Sequence, residues 1–423
     1  MDLVTEAADI AVVSEALAHA PVVGFDLEFA SADRLVPRLC LLQVSWVDET
    51  RHRMFDAPGA SIVAIEPEIR LVDPQAADVR PIIDALAAHP RVIAHAPRQD
   101  LALLATRHAL AAMPGLVDTQ LMAAFAGLGD QVGLATLANE QLGTHLGKDQ
   151  QWTAWERRPL TPAQLAYAGS DVRYLHALYA MLARLLGPAK LAWVGAESQQ
   201  ILADALDAAA VTPETAWEQI GGVQGLEPAA RAGAIALAAW RQRTAIELDR
   251  PLGQVLAVKN LIDLARHRPQ DAHAVRAQKG IAPIAKTRAE DIFEALAHAV
   301  PAPAGVARTA ARAPSPRAQR WAEMLLAIAH VVADETRIAP RLLATRGDAE
   351  QFARVADEDG LAATAALPAR ATWRAGVLGV AWAGWLEGTV AIVGDPSSAG
   401  GVRLRAATDD HDDHDDHDDH DAR

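Results

Sequence analysis

Two carboxylates separated by a single residue, Asp26 and Glu28, follow a short apolar run in this sequence. Residues 22–25 predict a strand that enters a core, and because strand side chains alternate between faces, both carboxylates point the same way. Like charges about 4 Å apart repel by roughly 4 kcal/mol at an effective dielectric of about 20, so water or a cation must separate them. A divalent cation with oxygen ligands fits the pair, whereas most acid-x-acid triplets are solvated surface. The motif therefore predicts a metal site only if further ligands accompany it.

Three further residues with suitable side chains come later, at the starts and along the faces of predicted helices. Asp100 follows a predicted buried strand over residues 91–95 and stands early in the next helix, where an acid is also an ordinary first-turn residue. Thr161 is a good N-cap for a helix that carries Tyr167 and Asp171. Because these two residues are four positions apart, they occupy one face of that helix. The alternation of strands and helices here predicts a mixed sheet with helices packed on it.

In this order and spacing, the five residues resemble the three exonuclease motifs of the DEDDy exonucleases. The segment from Arg158-Pro159-Leu160 to Asp171-Val172 is similar to ribonuclease D in particular. The resemblance covers about residues 18–300 and, more faintly, residues 320–393. It implies an α/β, ribonuclease H-like exonuclease domain with a mixed sheet, followed by all-α helical bundle domains. It also implies a metal-dependent 3′-5′ exonuclease that hydrolyses RNA and releases 5′-monophosphates.

The resemblance implies a role for each of the five residues. Asp26, Glu28 and Asp171 would hold the cation that activates water. Asp26 would also touch a second cation, which Asp100 would support through water, and Tyr167 would orient the attacking water. The alternative for Tyr167 is a core tyrosine packed on the sheet. Two divalent ions, Mg²⁺ or Mn²⁺, agree with this ligand set, because carboxylates suit both ions and two cations can stabilise the attacking and leaving oxygens of a phosphodiester.

The chain departs from the family pattern in three places, none of which removes a ligand. Leu27 separates the two acids of the first motif where family members often have Thr, and Ala154 stands where they often have Asp. Residues 51–68 look like an insertion, for which an extended hairpin is one interpretation. Gln43 and His95 fit the family pattern, and we assign both of them hydrogen-bonded core roles rather than catalytic ones.

Length and composition favour several compact domains. At 423 residues the length is typical of about three domains, and a composition that is 51% hydrophobic excludes a wholly disordered chain. We predict an exonuclease domain over residues 1–186, a helical connector over 187–227, a helicase-and-RNase-D C-terminal (HRDC) type domain over 228–300, a Pro/Arg linker over 301–320, a second HRDC-like domain over 321–395 and a disordered Asp/His tail over 396–423. Residues 377–393 are the nearest approach to a membrane span, and we predict a buried helix pair there.

The charge is unevenly distributed along the chain. The net charge is −15, but without the acidic tail residues 1–408 hold 38 Lys and Arg against 45 Asp and Glu, a balance of −7. Residues 231–290 reverse the sign, with eleven basic and five acidic residues, and this excess predicts RNA phosphate contacts. The basic side chains that we select as RNA-binding candidates are Arg243, Arg250, Lys259, Arg266 and Arg268. The alternative is a solvated basic helix face or an interdomain docking surface.

Together these features predict a cytoplasmic, metal-dependent 3′-5′ exoribonuclease that trims structured RNA precursors such as transfer RNA. The single cysteine, Cys40, excludes an internal disulfide, and the acidic N-terminus does not resemble a secretory signal. One alternative is a DNA exonuclease with the same catalytic residues, which recognition of the 2′-hydroxyl would distinguish. Another is a non-catalytic RNA-binding scaffold, which has no need of five such residues together.

Overall fold

The computed structural model describes residues 3–56, 62–144, 153–300, 314–398 and 400–407. The chain divides into two compact units, of which the first comprises residues 1–123 and 131–312 and the second comprises 124–130 and 313–423. In the described ranges, the helices are all too short or too polar to cross a membrane.

The first unit is built on a mixed sheet of six strands, as the sequence predicts. The strands are β1 (Leu3–Val4), β2 (Val22–Ala30), β3 (Arg38–Val47), β4 (Glu68–Val72), β5 (Val92–Ala94) and β6 (Leu116–Asp118). Their order across the sheet is β1-β4-β3-β2-β5-β6. The central strand β2 is antiparallel to β3 and parallel to β5. The antiparallel pairing of β2 with β3 confirms the expectation from the short loop between them.

Helices cover both faces of this sheet. Those of the exonuclease region are α1 (Ala7–His19), α2 (Glu49–Asp56), α3 (Arg80–Ala88), α4 (Arg98–His108), α5 (Thr119–Phe125), α6 (Leu134–Leu142), α7 (Pro162–Arg173) and α8 (Leu175–Ala209). On one face, Phe25 of β2 belongs to a buried cluster with apolar side chains of α1, α3 and α4. On the other face, Ala168 and Val172 of α7 pack with Leu41 and Ile93 of the sheet. Alternate residues of β2 therefore face two different surroundings.

The segment after β3 does not form the expected hairpin. Residues 49–56 are the helix α2, because the Asp48 carboxylate accepts a hydrogen bond of 2.7 Å from the backbone N–H of Arg51 and so caps the first turn. The strand expected near residue 69 is present as β4. The Pro58-Gly59 pair, at which a hairpin would turn, lies outside the described residues.

Helix α8 extends far beyond the predicted end of the exonuclease domain. It bends at Gly187, which has φ 66° and ψ 175°, just before Pro188. Its second half returns to the exonuclease core, where Leu202 and Ala205 join the same buried cluster as Phe25. The first part of the expected helical connector over residues 187–227 is helical, and Leu202 and Ala205 in it also cover the core of the sheet domain.

A second apolar core in the first unit is entirely helical. Its helices are α9 (Pro228–Leu248), α10 (Leu252–Val255), α11 (Val258–His267), α12 (Ala272–Arg276), α13 (Pro283–Thr287) and α14 (Ala289–Ala297). Leu237, Trp240, Leu261 and Ile292 are buried together at its centre. The helical bundle that the sequence predicts after the exonuclease domain is therefore confirmed.

The second unit is mainly helical and ends in a hairpin. Its elements are α15 (Pro316–Thr336), α16 (Pro340–Leu343), α17 (Arg346–Glu358), α18 (Pro368–Ala371), α19 (Leu378–Leu386), β7 (Val390–Gly394) and β8 (Val402–Ala406). The segment 124–130 belongs to this unit, where the Phe125 ring packs edge-on against Trp373 with centroids 4.9 Å apart.

Two predicted boundaries and one predicted helix pair in this region are corrected. The linker was expected to reach residue 320, but α15 begins at 316 because the Ser315 hydroxyl caps it by accepting from the N–H of Ala318. The helix pair expected over 377–393 is one helix followed by β7. The tail was expected from residue 396, but apolar Val402 and Leu404 alternate along a strand, β8, that pairs antiparallel with β7. Residues 301–313 and the Asp/His repeat from 409 to 421 lie outside the described residues.

Candidate active site

Three carboxylates from two elements converge at one end of β2. Asp26 and Glu28 lie on the same face of that strand, and both are half-buried. Asp171 of α7 approaches them from above the sheet. One carboxylate oxygen from each residue lies within 4.8 Å of the other two, which is a spacing at which a single cation could contact all three. The strand alternation and helix spacing seen in the sequence therefore bring these residues together.

The start of α7 sets the position of Asp171. Thr161 and Gln164 form a capping box, in which the Thr161 hydroxyl accepts from the Gln164 N–H and the Gln164 side-chain oxygen accepts from the Thr161 N–H. Pro162 occupies the first turn, where its missing N–H costs nothing. Because the helix begins at a fixed residue, Tyr167 and Asp171 face the sheet.

A buried ion pair anchors the chain just before α7. The Arg158 guanidinium donates to both carboxylate oxygens of Asp73, at 2.6 and 2.7 Å, and to the backbone oxygen of Cys40 at 2.7 Å. Burial alone would raise the pKa of Asp73, but the bonds from Arg158 outweigh it and the pKa is lowered. This bidentate pair ties the segment before α7 to the strands beneath it.

Gly24 lets the helices approach β2 closely. It lies two residues before Asp26 on the same face, and a Cβ atom there would stand 2.6 Å from the Ser45 hydroxyl and 3.2 Å from a methyl group of Leu175. Ser45 in turn donates to the backbone oxygen of Val172 in α7. A side chain at position 24 would push the α7–α8 corner away from the carboxylates.

Asp100 completes a set of four acids. It stands in the first turn of α4 and only 8% of its surface is exposed. Burial raises the pKa of Asp100, and the neighbouring Asp26 carboxylate raises it further. Asp100 also contributes to the raised pKa of Glu28, so the charges of all three residues interact. It lies outside the group of three whose oxygens could contact one ion.

The carboxyl groups of the site resist ionisation together. Burial raises the pKa of both Asp26 and Asp171. The pKa of Glu28 is raised from 4.5 to about 10, first by burial and then by Asp26, Asp171 and Asp100. Such a cluster can carry its full negative charge at neutral pH only when a cation compensates it. The donor set therefore fits a hard divalent ion.

Tyr167 borders the acids and also packs against the core. Burial raises the pKa of its hydroxyl, and Asp171, Glu28 and Asp26 raise it further, so the hydroxyl stays protonated near neutral pH. The ring lies 6.2 Å from that of Trp155, and both residues belong to the cluster beneath α7. The two interpretations offered by the sequence, a catalytic and a core tyrosine, are thus compatible in one side chain.

A cleft of about 1040 Å³ opens above these residues. Asp26, Glu28, Tyr167 and Asp171 line it, together with residues 30–34 of the β2–β3 loop. Leu248, Asp249 and Arg250, from the end of α9 and the turn that follows it, also line the cleft. The cleft is therefore shared between the exonuclease region and the first helical bundle, both of which belong to the first unit.

Only one of the five basic candidates lines this cleft, namely Arg250. It also donates to the backbone oxygen of Asp33 at 3.1 Å. The other four, Arg243, Lys259, Arg266 and Arg268, are exposed on the bundle away from the cleft wall.

Arg34 lines the cleft as well, and the sequence analysis did not select it. It lies 3.3 Å from a carboxylate oxygen of Glu156 and 3.5 Å from one of Asp249. Its position depends on the first helical bundle, because Asp249 and Gln254 hydrogen-bond the β2–β3 loop, and no local pattern in the sequence indicates it.

His95 and Gln43 differ in how their polar atoms are satisfied. The His95 ring bonds with the Thr119 hydroxyl at 3.0 Å and the Val132 backbone oxygen at 2.9 Å, and burial lowers its pKa to about 4. It has the hydrogen-bonded role that the sequence suggested. Gln43 lies directly across the strands from Asp26 and is fully buried, but within the described part of the chain its amide atoms find no partner. No protein group in the described residues supplies these hydrogen bonds, so the hydrogen-bonded role of Gln43 stays a prediction.

Comparison with known proteins defines the class first. A family model for a 3′-5′ exonuclease matches residues 1–187, and one for the HRDC domain matches residues 234–296. Exonucleases of this family depend on metal ions, and the acidic cluster that could hold one is present. A similar fold is found in the crystal structure of Escherichia coli RNase D, described as an exoribonuclease involved in structured RNA processing. The superposition covers 92% of this chain and 98% of the E. coli chain, with 23% sequence identity and a TM-score of 0.75. At that identity the likeness concerns the fold.

Sequence relatives define the family. The ribonuclease D of Granulibacter bethesdensis is 31% identical over 394 residues, which is 89% of this chain and 90% of the relative. That of Acidiphilium cryptum is 32% identical over 381 residues, covering 88% and 89%. The chain belongs to the ribonuclease D family and is a 3′-5′ exoribonuclease.

Proposed function

We propose that the four acids hold two divalent cations, Mg²⁺ or Mn²⁺, at the floor of the cleft. Asp26, Glu28 and Asp171 would hold one, and Asp26 with Asp100 would hold the other. The observation that carries this assignment is the convergence of three carboxylate oxygens within 4.8 Å of one another. The raised pKa of Glu28 supports it, because a site of buried, mutually repelling carboxylates is stable as anions only around positive charge.

Bound cations would activate a water molecule and neutralise charge on the attacking and leaving oxygens of the phosphodiester. The chain's own groups then orient the reactants. The protonated hydroxyl of Tyr167 faces the Asp171 carboxylate, so it can hold a water molecule by a hydrogen bond on the side of the first ion. The close approach permitted by Gly24 keeps α7 at the distance that this arrangement needs.

The proposed substrate is RNA with an accessible 3′ end, and among such RNAs we favour structured precursors such as transfer RNA in the cytoplasm. The four residues Asp26, Glu28, Tyr167 and Asp171 line the same cleft as Arg250, so the 3′ end of a strand that enters the cleft would meet the acids. Arg250 on one wall can contact a phosphate and position the strand without reading its sequence. For Arg243, Lys259, Arg266 and Arg268, contacts with more distant parts of a folded RNA remain our proposal.

The decisive experiment is trimming of a 5′-labelled RNA with a single-stranded 3′ end, in Mg²⁺ and in Mn²⁺. We expect a ladder that shortens from the 3′ end, and its loss in Asp26→Asn. Asp9→Asn, which alters an exposed acid of α1, is the matched control and should trim normally. Binding without shortening by the unaltered chain in both metals would favour the scaffold alternative.

A second comparison tests the class of substrate. A transfer RNA precursor with a 3′ extension is compared with an unstructured RNA and with DNA of the same sequence as the extension. Faster trimming of the precursor supports the proposal, and equal rates on all three would remove the preference for structured RNA. Equal rates on RNA and DNA would show that no group of the cleft recognises the 2′-hydroxyl.

A further inference from the structure

A second cavity lies on the other side of the β2–β3 loop from the catalytic cleft. Its volume is about 410 Å³, and three of its lining residues are the arginines Arg34, Arg38 and Arg107. Among the residues with described positions, no Asp or Glu side chain lines it. Arg34 lines both this cavity and the cleft, so the two are neighbours across a single side chain. We call the second cavity the basic groove.

The positive charge of the basic groove is only partly compensated. Arg34 and Arg38 share the Glu156 carboxylate, at 3.3 and 3.9 Å, and Arg34 also lies 3.5 Å from a carboxylate oxygen of Asp249. These pairs are largely exposed, and exposed pairs contribute only about 0.2–1 kcal/mol, so a phosphate can replace the carboxylate. Arg107 forms no ion pair within the described parts of the chain, and its one hydrogen bond is to the backbone oxygen of Val36.

The loop that separates the two cavities is held in place. The Leu35 N–H donates to the Asp249 carboxylate at 3.2 Å, and the Gln254 amide donates to the Ala32 oxygen at 3.3 Å. The Leu35 side chain packs against the core of the first helical bundle. The basic groove is thus fixed relative to the acids of the cleft, as a site for a specific part of a bound strand must be.

We propose that the basic groove binds the phosphates of the RNA strand upstream of the 3′ nucleotide in the cleft. This inference rests on the proposed function, because it needs the 3′ end at the acids. An RNA longer than the cleft must leave it, and the basic groove next to Arg34 is lined by guanidinium groups and, among the described residues, by no Asp or Glu. The planar fork of a guanidinium matches two phosphate oxygens, so such contacts hold the strand without reading its sequence. The groove would then favour substrates that extend several nucleotides beyond the cleft.

The test compares a short with a long RNA in variants of the groove. Binding of a trinucleotide and of an RNA of about 12 nucleotides is measured by fluorescence anisotropy in a metal chelator, and trimming of both is measured with Mg²⁺. We expect Arg107→Gln to weaken the affinity for the longer RNA about 5-fold to 10-fold. The affinity for the trinucleotide should stay within about 2-fold of that of the unaltered chain. The slope of log affinity against log salt for the longer RNA should fall by about 0.7 for the lost contact.

Two further variants make the result decisive. Arg38→Gln should produce the same length-dependent loss, and it leaves the bond between Arg107 and Val36 in place. Arg184→Gln removes an exposed arginine that lines neither cavity, and it should change nothing beyond the small effect of net charge.

Three results would overturn the proposal: unchanged affinity for the longer RNA in both groove variants, an equal loss for both RNA lengths, or an equal loss in Arg184→Gln. Failure of the proposed function would instead be seen as absent trimming of either RNA by the unaltered chain. The binding measurement is independent of hydrolysis and decides the groove in that case as well.

Discussion

The two faces of β2 differ in what they bury, although they are made from alternate residues of one strand. Val23, Phe25 and Leu27 enter an apolar core and are almost completely inaccessible. On the other face, Gly24 is followed by Asp26 and Glu28, which stay half-buried beneath a cleft. One face stabilises the domain by removing apolar surface from water. The other concentrates like charges that destabilise it until a cation binds.

This contrast indicates how the fold tolerates its site. The carboxylates project from a strand whose other side is well packed, so their repulsion is balanced by contacts that take no part in chemistry. Substitutions on the two faces should therefore separate activity from stability.

The largest effect is expected on activity, from Glu28→Gln on the acidic face. If Glu28 is a ligand, as we propose, its loss should lower kcat for RNA trimming by at least about 10³-fold, which corresponds to about 4 kcal/mol. Stability in chelator should stay equal or rise, because one of the mutually repelling acids is removed. Single-turnover trimming and chemical denaturation measure the two quantities. Parallel losses of activity and stability would contradict the separation.

Phe25→Ala on the apolar face should have the reverse effect. A buried phenylalanine reduced to alanine costs about 3–5 kcal/mol of the free energy of unfolding. The carboxylates remain in place, so at a temperature where the variant is folded its trimming rate should stay near that of the unaltered chain. Denaturation in urea and trimming in the cold provide the measurements. A catalytic loss as large as that of Glu28→Gln would mean that the two faces are not independent.

The pH dependence of stability should depend on metal. Without metal, the pKa of Glu28 is raised from 4.5 to about 10 in the folded protein. As pH rises, the Glu28 carboxyl group therefore ionises at a lower pH in the unfolded chain than in the folded one. The stability associated with Glu28 is therefore complete below about pH 4.5 and is lost as pH rises toward 10. The melting temperature in chelator should fall between about pH 5 and pH 9, and Mn²⁺ should restore most of it at the upper end. Glu28→Gln should flatten the decline, whereas Asp9→Asn should retain it.

The smallest effect is expected from a substitution of Gly24, which lies on the acidic face of β2 where the α7–α8 corner packs closely. Gly24→Ala places a methyl group against Ser45 and Leu175, and overpacking of this kind costs about 1–3 kcal/mol. Trimming should decline with it, because the α7–α8 corner must move. Gly133→Ala is the matched control, since a Cβ atom there meets nothing within 4 Å. Equal melting temperatures for the two variants would show that the close packing at Gly24 does not exclude a side chain.

Local pattern predicted most of the site. The alternation of β2 placed Asp26 and Glu28 on one face, and helix spacing placed Tyr167 and Asp171 together. The departure at Leu27 is also explained, because this residue points into the apolar core, away from the acids. The convergence of separate motifs came from the family resemblance, since spacing within a strand or helix does not determine which elements become neighbours.

The features that the sequence analysis missed depend on tertiary contacts or, for residues 49–56, on a helix cap that competes with the expected hairpin. Residues 49–56 became a helix through a cap from Asp48, which hydrophobic patterning does not detect. Arg34 enters the cleft because a whole helical bundle holds its loop. The strand β8 needs β7 as a partner, and strand pairing of this kind is a tertiary contact that local pattern does not show.

The bend at Gly187 has a consequence for the evolution and engineering of this nuclease. The matched exonuclease segment ends at residue 187, yet the helix that continues beyond the bend closes the hydrophobic core of the sheet domain. A gene fragment cut at that boundary would encode a nuclease whose hydrophobic core is exposed where Leu202 and Ala205 normally cover it, and such a fragment would be prone to aggregation and proteolysis. A transplantable catalytic module must extend to about Ala210, so recombination that exchanges the bundles has to carry this helix with the nuclease.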